Sequence, residues 1–102
     1  MKVLPEPIVF EWDKGNKNKN YLKHKVVNEE AEGIFTNKPS YILFDEKHSI
    51  FERRYLIWGK TDRGRKLAVF FTIRNNKIRI ISARDMQKKE RRAYEEKTKI
   101  NS

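Results

Sequence analysis

The residue types that can do acid–base or phosphate chemistry are concentrated in the second half of the chain. Glu52 and Arg54 lie two positions apart, so both side chains project to one face of a strand. His48 lies just upstream, and Arg79 and Arg84 follow later. A guanidinium group binds phosphate or carboxylate oxygens through paired hydrogen bonds. The set therefore indicates a site that binds an anion.

Cleavage of an RNA phosphodiester without a metal fits these residue types. RNA supplies its own nucleophile, the 2′-hydroxyl, so no Ser or Cys is required. Such a site needs a base, an acid and cations that stabilise the charge on phosphorus. We expect Glu52 or His48 to move protons. The expected charge-stabilising groups are Arg54, Arg79 and Arg84.

Each of these residues also has a purely structural interpretation. Glu52 and Arg54 can form a surface ion pair of little energetic value. Arg84 can lie along the ring of Phe70. Glu90 falls in the apolar seam of the last predicted helix, where it is expected to pair with an arginine of the sheet. Further cations are candidates for RNA contacts or for solvated charge: Arg53, Arg65, Lys88, Arg91 and Arg92.

The charge of the chain is distributed unevenly. Residues 51–102 hold 16 Lys and Arg against 6 Asp and Glu, whereas residues 1–50 hold 8 of each. The net charge of +10 therefore resides in the second half, which also contains all nine arginines. This predicts attraction to a polyanion, with nucleic acid favoured over an acidic protein or a membrane surface.

Several classes of function are disfavoured by what the sequence lacks. It has no Cys, two His, no glycine-rich phosphate loop and no metalloprotease or serine-hydrolase motif. We therefore expect no metal and no cofactor. No apolar run approaches the roughly 20 residues of a membrane span, and no signal peptide is evident. A cytoplasmic location is expected.

The hydrophobic pattern predicts the secondary-structure elements that must position these residues, and together they indicate one small α+β domain over residues 1–102. We expect an antiparallel sheet of about four strands, two N-terminal helices and one C-terminal helix, with residues 1–7 and 97–102 frayed. Helices are predicted at 14–24, from Asn28 onward and at 83–96. Extended segments are predicted at 8–12, 41–44, 52–60, 66–73 and 78–81.

Two turn signals refine this prediction. Asn75-Asn76 favours a tight hairpin, which pairs Ile73 with Ile78, Thr72 with Arg79, Phe71 with Ile80 and Phe70 with Ile81. The expected core face then consists of Leu67, Val69, Phe71, Ile73, Ile78 and Ile80. Ser82 to Asp85 fits a capping box, which places Arg84 in the first turn of the last helix. A cation there opposes the helix dipole, which hints at another use for Arg84.

In the order and spacing of many short motifs, the chain resembles BrnT-type toxins, the ribonuclease half of bacterial BrnT–BrnA toxin–antitoxin systems. The resemblance spans most of the chain. It rests on Phe10 to Asp13, Asn20 with Lys23-His24, Glu29 to Ala31, Asp45, His48-Ser49, Glu52 with Arg54, Gly59, Gly64-Arg65, Arg79 to Arg84, and Glu90-Arg91 with Tyr94. The sequence departs from the family at Lys25, where glycine is common, and an expected lysine is shifted to Lys14 or Lys17.

The resemblance implies a RelE-like fold and an endoribonuclease that stalls growth. It also implies neutralisation by a BrnA-like antitoxin with a DNA-binding domain, in a toxin–antitoxin hetero-oligomer. The site residues implied are His48, Glu52, Arg54, Arg79 and Arg84. Two rival functions stay open: a non-catalytic nucleic-acid-binding module, and a subunit whose basic face serves only to bind its antitoxin.

Overall fold

The computed structural model describes residues 3–100 of the chain. Its elements, in chain order, are α1 (Lys19–His24), α2 (Asn28–Gly33), β1 (Tyr41–Phe44), a short 3-10 turn (Glu46–His48), β2 (Tyr55–Lys60), β3 (Lys66–Arg74), β4 (Lys77–Asp85) and α3 (Lys88–Ile100). The strands form one antiparallel sheet in the order β1-β2-β3-β4. The predicted α+β class is confirmed.

The hairpin between β3 and β4 is the most local feature and was predicted correctly. Asn75 and Asn76 have φ angles of 50° and 62°, the left-handed pair that matches the twist of flanking strands. Three predicted pairs are present: Ile73–Ile78, Thr72–Arg79 and Phe71–Ile80.

The fourth predicted pair is wrong, because a bulge interrupts the ladder. The register shifts between Phe70 and Phe71, so Phe70 lies opposite Ser82 rather than Ile81. Such a bulge places one extra residue in one strand and increases the local twist. It therefore changes which β4 side chains face each side of the sheet beyond Ile80.

The inner face of the sheet carries the main core. The predicted core residues of β3 and β4 are buried there, apart from the partly buried Ile73, and residues of the α1–α2 region cover them. The ring of Phe35 meets the ring of Phe71 edge-on at 5.1 Å between centroids. Gly59 of β2 allows close packing, because a Cβ at this position would lie 3.0 Å from the Cβ of Ile34 and 3.1 Å from its carbonyl oxygen.

The outer face of the sheet is only partly covered. Helix α3 packs Tyr94 against Trp58 and Ala68, and Met86 joins this second cluster. The Tyr94 hydroxyl donates a hydrogen bond of 2.6 Å to the carbonyl of Pro39. Among residues 3–100, no helix is both long and apolar enough to cross a membrane.

The N-terminal elements are shorter than predicted. Residues 8–12 form only an isolated parallel bridge, between Phe10 and Ile78, and α1 begins at Lys19. The asparagines explain the difference, because their amides bond to the sheet instead of to a helix. Asn16 donates to the carbonyl of Ile80, and Asn20 accepts from the amide of Ala83.

The predicted start of the last helix is also wrong. Strand β4 continues to Asp85, which pairs with Leu67, and α3 begins at Lys88 and runs to Ile100. Sheet pairing overrides the local capping pattern of Ser82 to Asp85. The fraying predicted for residues 1–2 and 101–102 lies outside the described residues.

Candidate functional site

The outer face carries a row of polar residues near the β3–β4 hairpin. Thr72 pairs with Arg79 across β3 and β4. The buried Thr72 hydroxyl donates a hydrogen bond of 2.7 Å to the carbonyl of Arg53. Arg54 immediately precedes the Tyr55–Phe71 pair, where β2 begins. Thr72 thus contacts the backbone next to Arg54 and pairs with Arg79.

Glu52 lies beside this row, and it does not form the ion pair with Arg54 that was its alternative, structural interpretation. Its carboxylate is held by Arg74, with distances of 2.6 Å from Nε and 2.9 Å from Nη2. These hydrogen bonds lower the pKa of Glu52, and the charges of Arg74, Arg54 and Arg79 lower it further against the effect of burial. Strand β2 begins only at Tyr55, so Glu52 and Arg54 are not on a regular strand that would place their side chains side by side. The Glu52 carboxylate contacts Arg74 of β3 instead.

Arg79 is bound by carboxylates of the N-terminal segment. Its Nη1 and Nη2 lie 2.8 and 3.0 Å from the oxygens of Asp13, and Nη1 also lies 3.2 Å from Glu11. The Phe10–Ile78 bridge brings this segment alongside β4. The Arg79 side chain is 14% exposed, so it is largely committed to these contacts.

Arg84 lies in β4, not in the first turn of a helix, so the predicted conflict with a helix dipole does not arise. Its guanidinium contacts Glu90 at 2.6 and 3.3 Å and lies over the ring of Phe70 at 5.5 Å. Glu90 also accepts from the amide of Gln87 and from Trp58. The predicted pairing of Glu90 with a sheet arginine is confirmed.

The three candidate arginines thus form two groups. Arg54 and Arg79 lie near Glu52 and Arg74. Arg84 pairs opposite Ala68, four residues along β3 from the partner of Arg79, which is roughly 13 Å at the rise of a strand. The partly buried Phe70 lies between the two groups.

Arg54 differs from the other arginines of this face. Within residues 3–100, its guanidinium makes no hydrogen bond and no ion pair, although the side chain is partly buried. In the described part of the chain, carboxylates hold four arginines: Arg65, Arg74, Arg79 and Arg84. An unpaired guanidinium close to neutralised ones is the group best able to accept an external anion.

His48 lies on the loop that connects β1 with β2. Its Nδ1 is 3.1 Å from both carboxylate oxygens of Asp45. Asp45 is 12% exposed at its side chain, whereas His48 is 57% exposed. The contact holds Nδ1 and leaves Nε2 directed away from Asp45, the arrangement in which an imidazole can exchange a proton with a substrate.

The same loop is braced at its base. The Asp45 amide bonds to the carbonyl of Arg54 at 2.9 Å, and the Arg54 amide bonds to the hydroxyl of Ser49 at 2.9 Å. The Ser49 hydroxyl in turn donates to the carbonyl of Asp45 at 2.6 Å. These contacts connect the backbone around His48 directly to that of Arg54.

The candidate RNA-contacting residues are in different environments. Arg53 lies over the ring of Phe44 at 5.5 Å and helps to line a cavity of about 370 Å³ that also includes Tyr55. Arg65 is held by Asp85 and Glu30, an arrangement that stabilises the fold. The others are exposed on the first two turns of α3: Lys88, Arg91 and Arg92.

No group of three or more His, Asp or Glu side chains is arranged to hold a metal ion within the part of the chain that the structure describes.

A family model described as the ribonuclease toxin BrnT of type II toxin–antitoxin systems matches residues 12–90. The chain belongs to this family. No curated protein matches the chain. Membership in the BrnT family confirms the predicted class, a ribonuclease toxin that acts on RNA and has an antitoxin as its partner.

The BrnT match includes the β1–β2 loop, the arginine row and the Arg84–Glu90 pair, and it ends at Glu90. Most of α3, with Arg91 and Arg92, lies beyond it.

Sequence reasoning missed two residues that shape this part of the BrnT chain. Asp45 precedes His48 by three positions, a spacing that could have indicated the contact within one turn. Arg74 adjoins the Asn75-Asn76 turn and contacts Glu52 because of the way the strands are arranged. This contact could not be predicted without the three-dimensional structure.

Proposed function

We propose that this BrnT-family toxin is a metal-independent endoribonuclease whose substrate phosphate binds at Arg54, beside the His48 loop. The observation that carries the proposal is the unpaired guanidinium of Arg54. It lies in a row whose other arginines, Arg74 and Arg79, are held by carboxylates. A phosphate oxygen would supply the anionic partner that this side chain lacks.

His48 is the proposed base. Its Nδ1 is held by Asp45, so Nε2 would accept the proton of the 2′-hydroxyl while the 2′-oxygen bonds to phosphorus. The bond from phosphorus to the 5′-oxygen then breaks, and that oxygen takes a proton from water. The resulting hydroxide is neutralised by the proton on His48. The products are a 2′,3′-cyclic phosphate and a 5′-hydroxyl end.

Glu52 is assigned a supporting role rather than proton transfer. Arg74 occupies both of its carboxylate oxygens and lowers its pKa. A carboxylate that is held in this way is a poor acid and a poor base at neutral pH. In this proposal, Glu52 and Arg79 position the row, Arg54 stabilises the charge on phosphorus, and Arg84 contacts a neighbouring phosphate.

The proposal includes a setting for this activity. The partner would be a BrnA-like antitoxin with a DNA-binding domain, in a hetero-oligomer that masks the basic face, and the fold would be RelE-like. The site of action would be the cytoplasm, where messenger RNA is available. The net charge of +10 supports an anionic substrate and an anionic partner surface.

The test is incubation of the purified chain with single-stranded RNA, followed by a denaturing gel and analysis of the product ends. We expect cleavage that persists in excess chelator and that yields 5′-hydroxyl ends. Cleavage abolished by chelator would contradict the metal-independent mechanism. Intact RNA with salt-sensitive binding would favour a binding module instead, and no RNA binding would favour a subunit that only binds its antitoxin.

A further inference from the structure

Two large apolar side chains project from the tip of the β1–β2 loop. Ile50 is 81% exposed and Phe51 is fully exposed. An aromatic ring that stays in water adds nothing to the stability of the fold, because only burial of its apolar surface is favourable. The two residues are adjacent in the chain and belong to the loop that carries His48 and leads to Arg54. Their exposure therefore calls for a ligand rather than a packing role.

The loop presents these side chains from a braced base. The hydrogen bonds that join Asp45, Ser49 and Arg54 close the loop between its two strands. Thr72 adds a contact to the carbonyl of Arg53. The positions on either side of Phe51 are thus tied to the sheet, so its ring is held outside the core by the path of the backbone.

Residues that can bind phosphate or exchange protons lie within three positions of Phe51 in the chain. His48 precedes Phe51 by three residues, and Arg53 and Arg54 follow it by two and three. Proteins bind single-stranded nucleic acid with such a combination, in which bases stack on aromatic rings while nearby cations hold the phosphates. A second copy of this chain would be a poor occupant, because it carries the same charge of +10.

From this arrangement we infer that Phe51 is a binding site for one unstacked nucleobase next to the scissile phosphate. The inference rests on the proposed function and narrows its substrate to single-stranded RNA. Bases in a paired helix are stacked on their neighbours and cannot reach the ring. Phe51 would therefore select unpaired RNA, while Arg54 binds the adjoining phosphate.

Binding is tested without cleavage by using mixed-sequence single-stranded oligonucleotides that are 2′-O-methylated and contain 2-aminopurine. We expect Phe51→Ala to weaken binding by roughly 5- to 150-fold, the loss of one base–aromatic stack. We expect Phe51→Trp to retain binding and to quench the 2-aminopurine. A fully paired duplex should bind wild type and Phe51→Ala equally.

A matched control is Leu22→Ala, which removes a large apolar side chain that is 79% exposed on α1 and should bind as wild type does. With cleavable single-stranded RNA, Phe51→Ala should raise KM and leave kcat unchanged, because stacking acts equally before and during the reaction. Equal single-strand affinity of wild type and Phe51→Ala would overturn the inference. Equal affinities are also the result expected if the exposed ring binds the antitoxin instead of RNA.

The binding and cleavage measurements distinguish a failure of the proposed ribonuclease function from a failure of the stacking site. Failure of wild type to cleave RNA, with stacking on Phe51 intact, would overturn the proposed function alone. Normal cleavage with a wild-type KM in Phe51→Ala would overturn the stacking site alone.

Discussion

At the scale of single residues, Arg54 and Arg79 both lie near Glu52 but differ in their own electrostatic partners. Arg79 is held by Asp13 and Glu11, while Arg54 has no ion pair within the described residues. Residue type and spacing suggested an equal role for both. The difference comes from an acidic N-terminal segment far away in sequence, which no local pattern could assign to Arg79.

Asp45 provides a test of the His48 assignment. We expect Asp45→Asn to lower kcat by about 10- to 100-fold, because the variant keeps the size of the side chain but lacks the carboxylate that holds Nδ1 and orients the ring. KM should change little, since Asp45 does not contact RNA in this account. Single-turnover kinetics would measure the effect.

Asp62→Asn is the matched control for this substitution, because it makes the same chemical change in the exposed turn between β2 and β3. It should retain the wild-type kcat. Equal kcat values for Asp45→Asn and wild type would mean that the contact with His48 only shapes the loop.

The partly buried Glu90 predicts a pH dependence of stability. Burial raises its pKa, but hydrogen bonds from Arg84, the Gln87 amide and Trp58 outweigh burial, so the pKa is lowered overall. The stabilisation by its charge is therefore present above the ordinary glutamate value of about 4.3 and is lost as the pH falls further. Arg74 has the same effect on Glu52.

Urea unfolding at several pH values measures this effect. We expect the unfolding free energy of the wild type to fall as the pH drops below about 4.3, and to fall less steeply in Glu90→Gln. Identical pH profiles for the two proteins would show that the Arg84–Glu90 pair contributes no such linkage.

At the scale of elements, the accuracy of prediction followed the range of the interactions. The β3–β4 hairpin was predicted because its two asparagines and its alternating apolar residues act locally. The start of α3 was predicted wrongly, since Ser82 to Asp85 satisfies a capping pattern but pairs with β3 instead. The bulge opposite Phe70 has no glycine or proline to mark it.

The contact between α2 and β2 supplies a prediction at this scale. We expect Gly59→Ala to lower the free energy of unfolding by about 1–3 kcal/mol, the usual cost of overpacking. The added Cβ would lie 3.0 Å from the Cβ of Ile34 and 3.1 Å from its backbone oxygen. Thermal unfolding followed by circular dichroism measures the change.

Gly33→Ala serves as a comparison, because the nearest neighbour of its added Cβ is 3.9 Å away. It should lack this steric penalty. A Gly59→Ala protein as stable as wild type would mean that the two elements separate easily, and that the inner core is less tightly packed than the contacts indicate.

At the scale of the whole molecule, composition indicated a polyanion partner, and the fold shows how that charge is distributed. Within the described residues, carboxylates neutralise four arginines, and two of these, Arg65 and Arg79, pair with carboxylates of the N-terminal half, which has no net charge of its own. The unpaired Arg54 lies at the end of the sheet formed by the β1–β2 loop and the β3–β4 hairpin. Arg63 lies in the turn at the other end.

These two arginines provide the most direct test of the account, because replacing either with alanine removes the same charge. The measurement is the rate of cleavage of single-stranded RNA by wild type, Arg54→Ala and Arg63→Ala, each shown to be folded. We predict a loss of about 100-fold or more for Arg54→Ala, the usual effect of removing a group that stabilises transition-state charge, and a nearly wild-type rate for Arg63→Ala. Equal rates for the two variants would contradict a reaction site at Arg54.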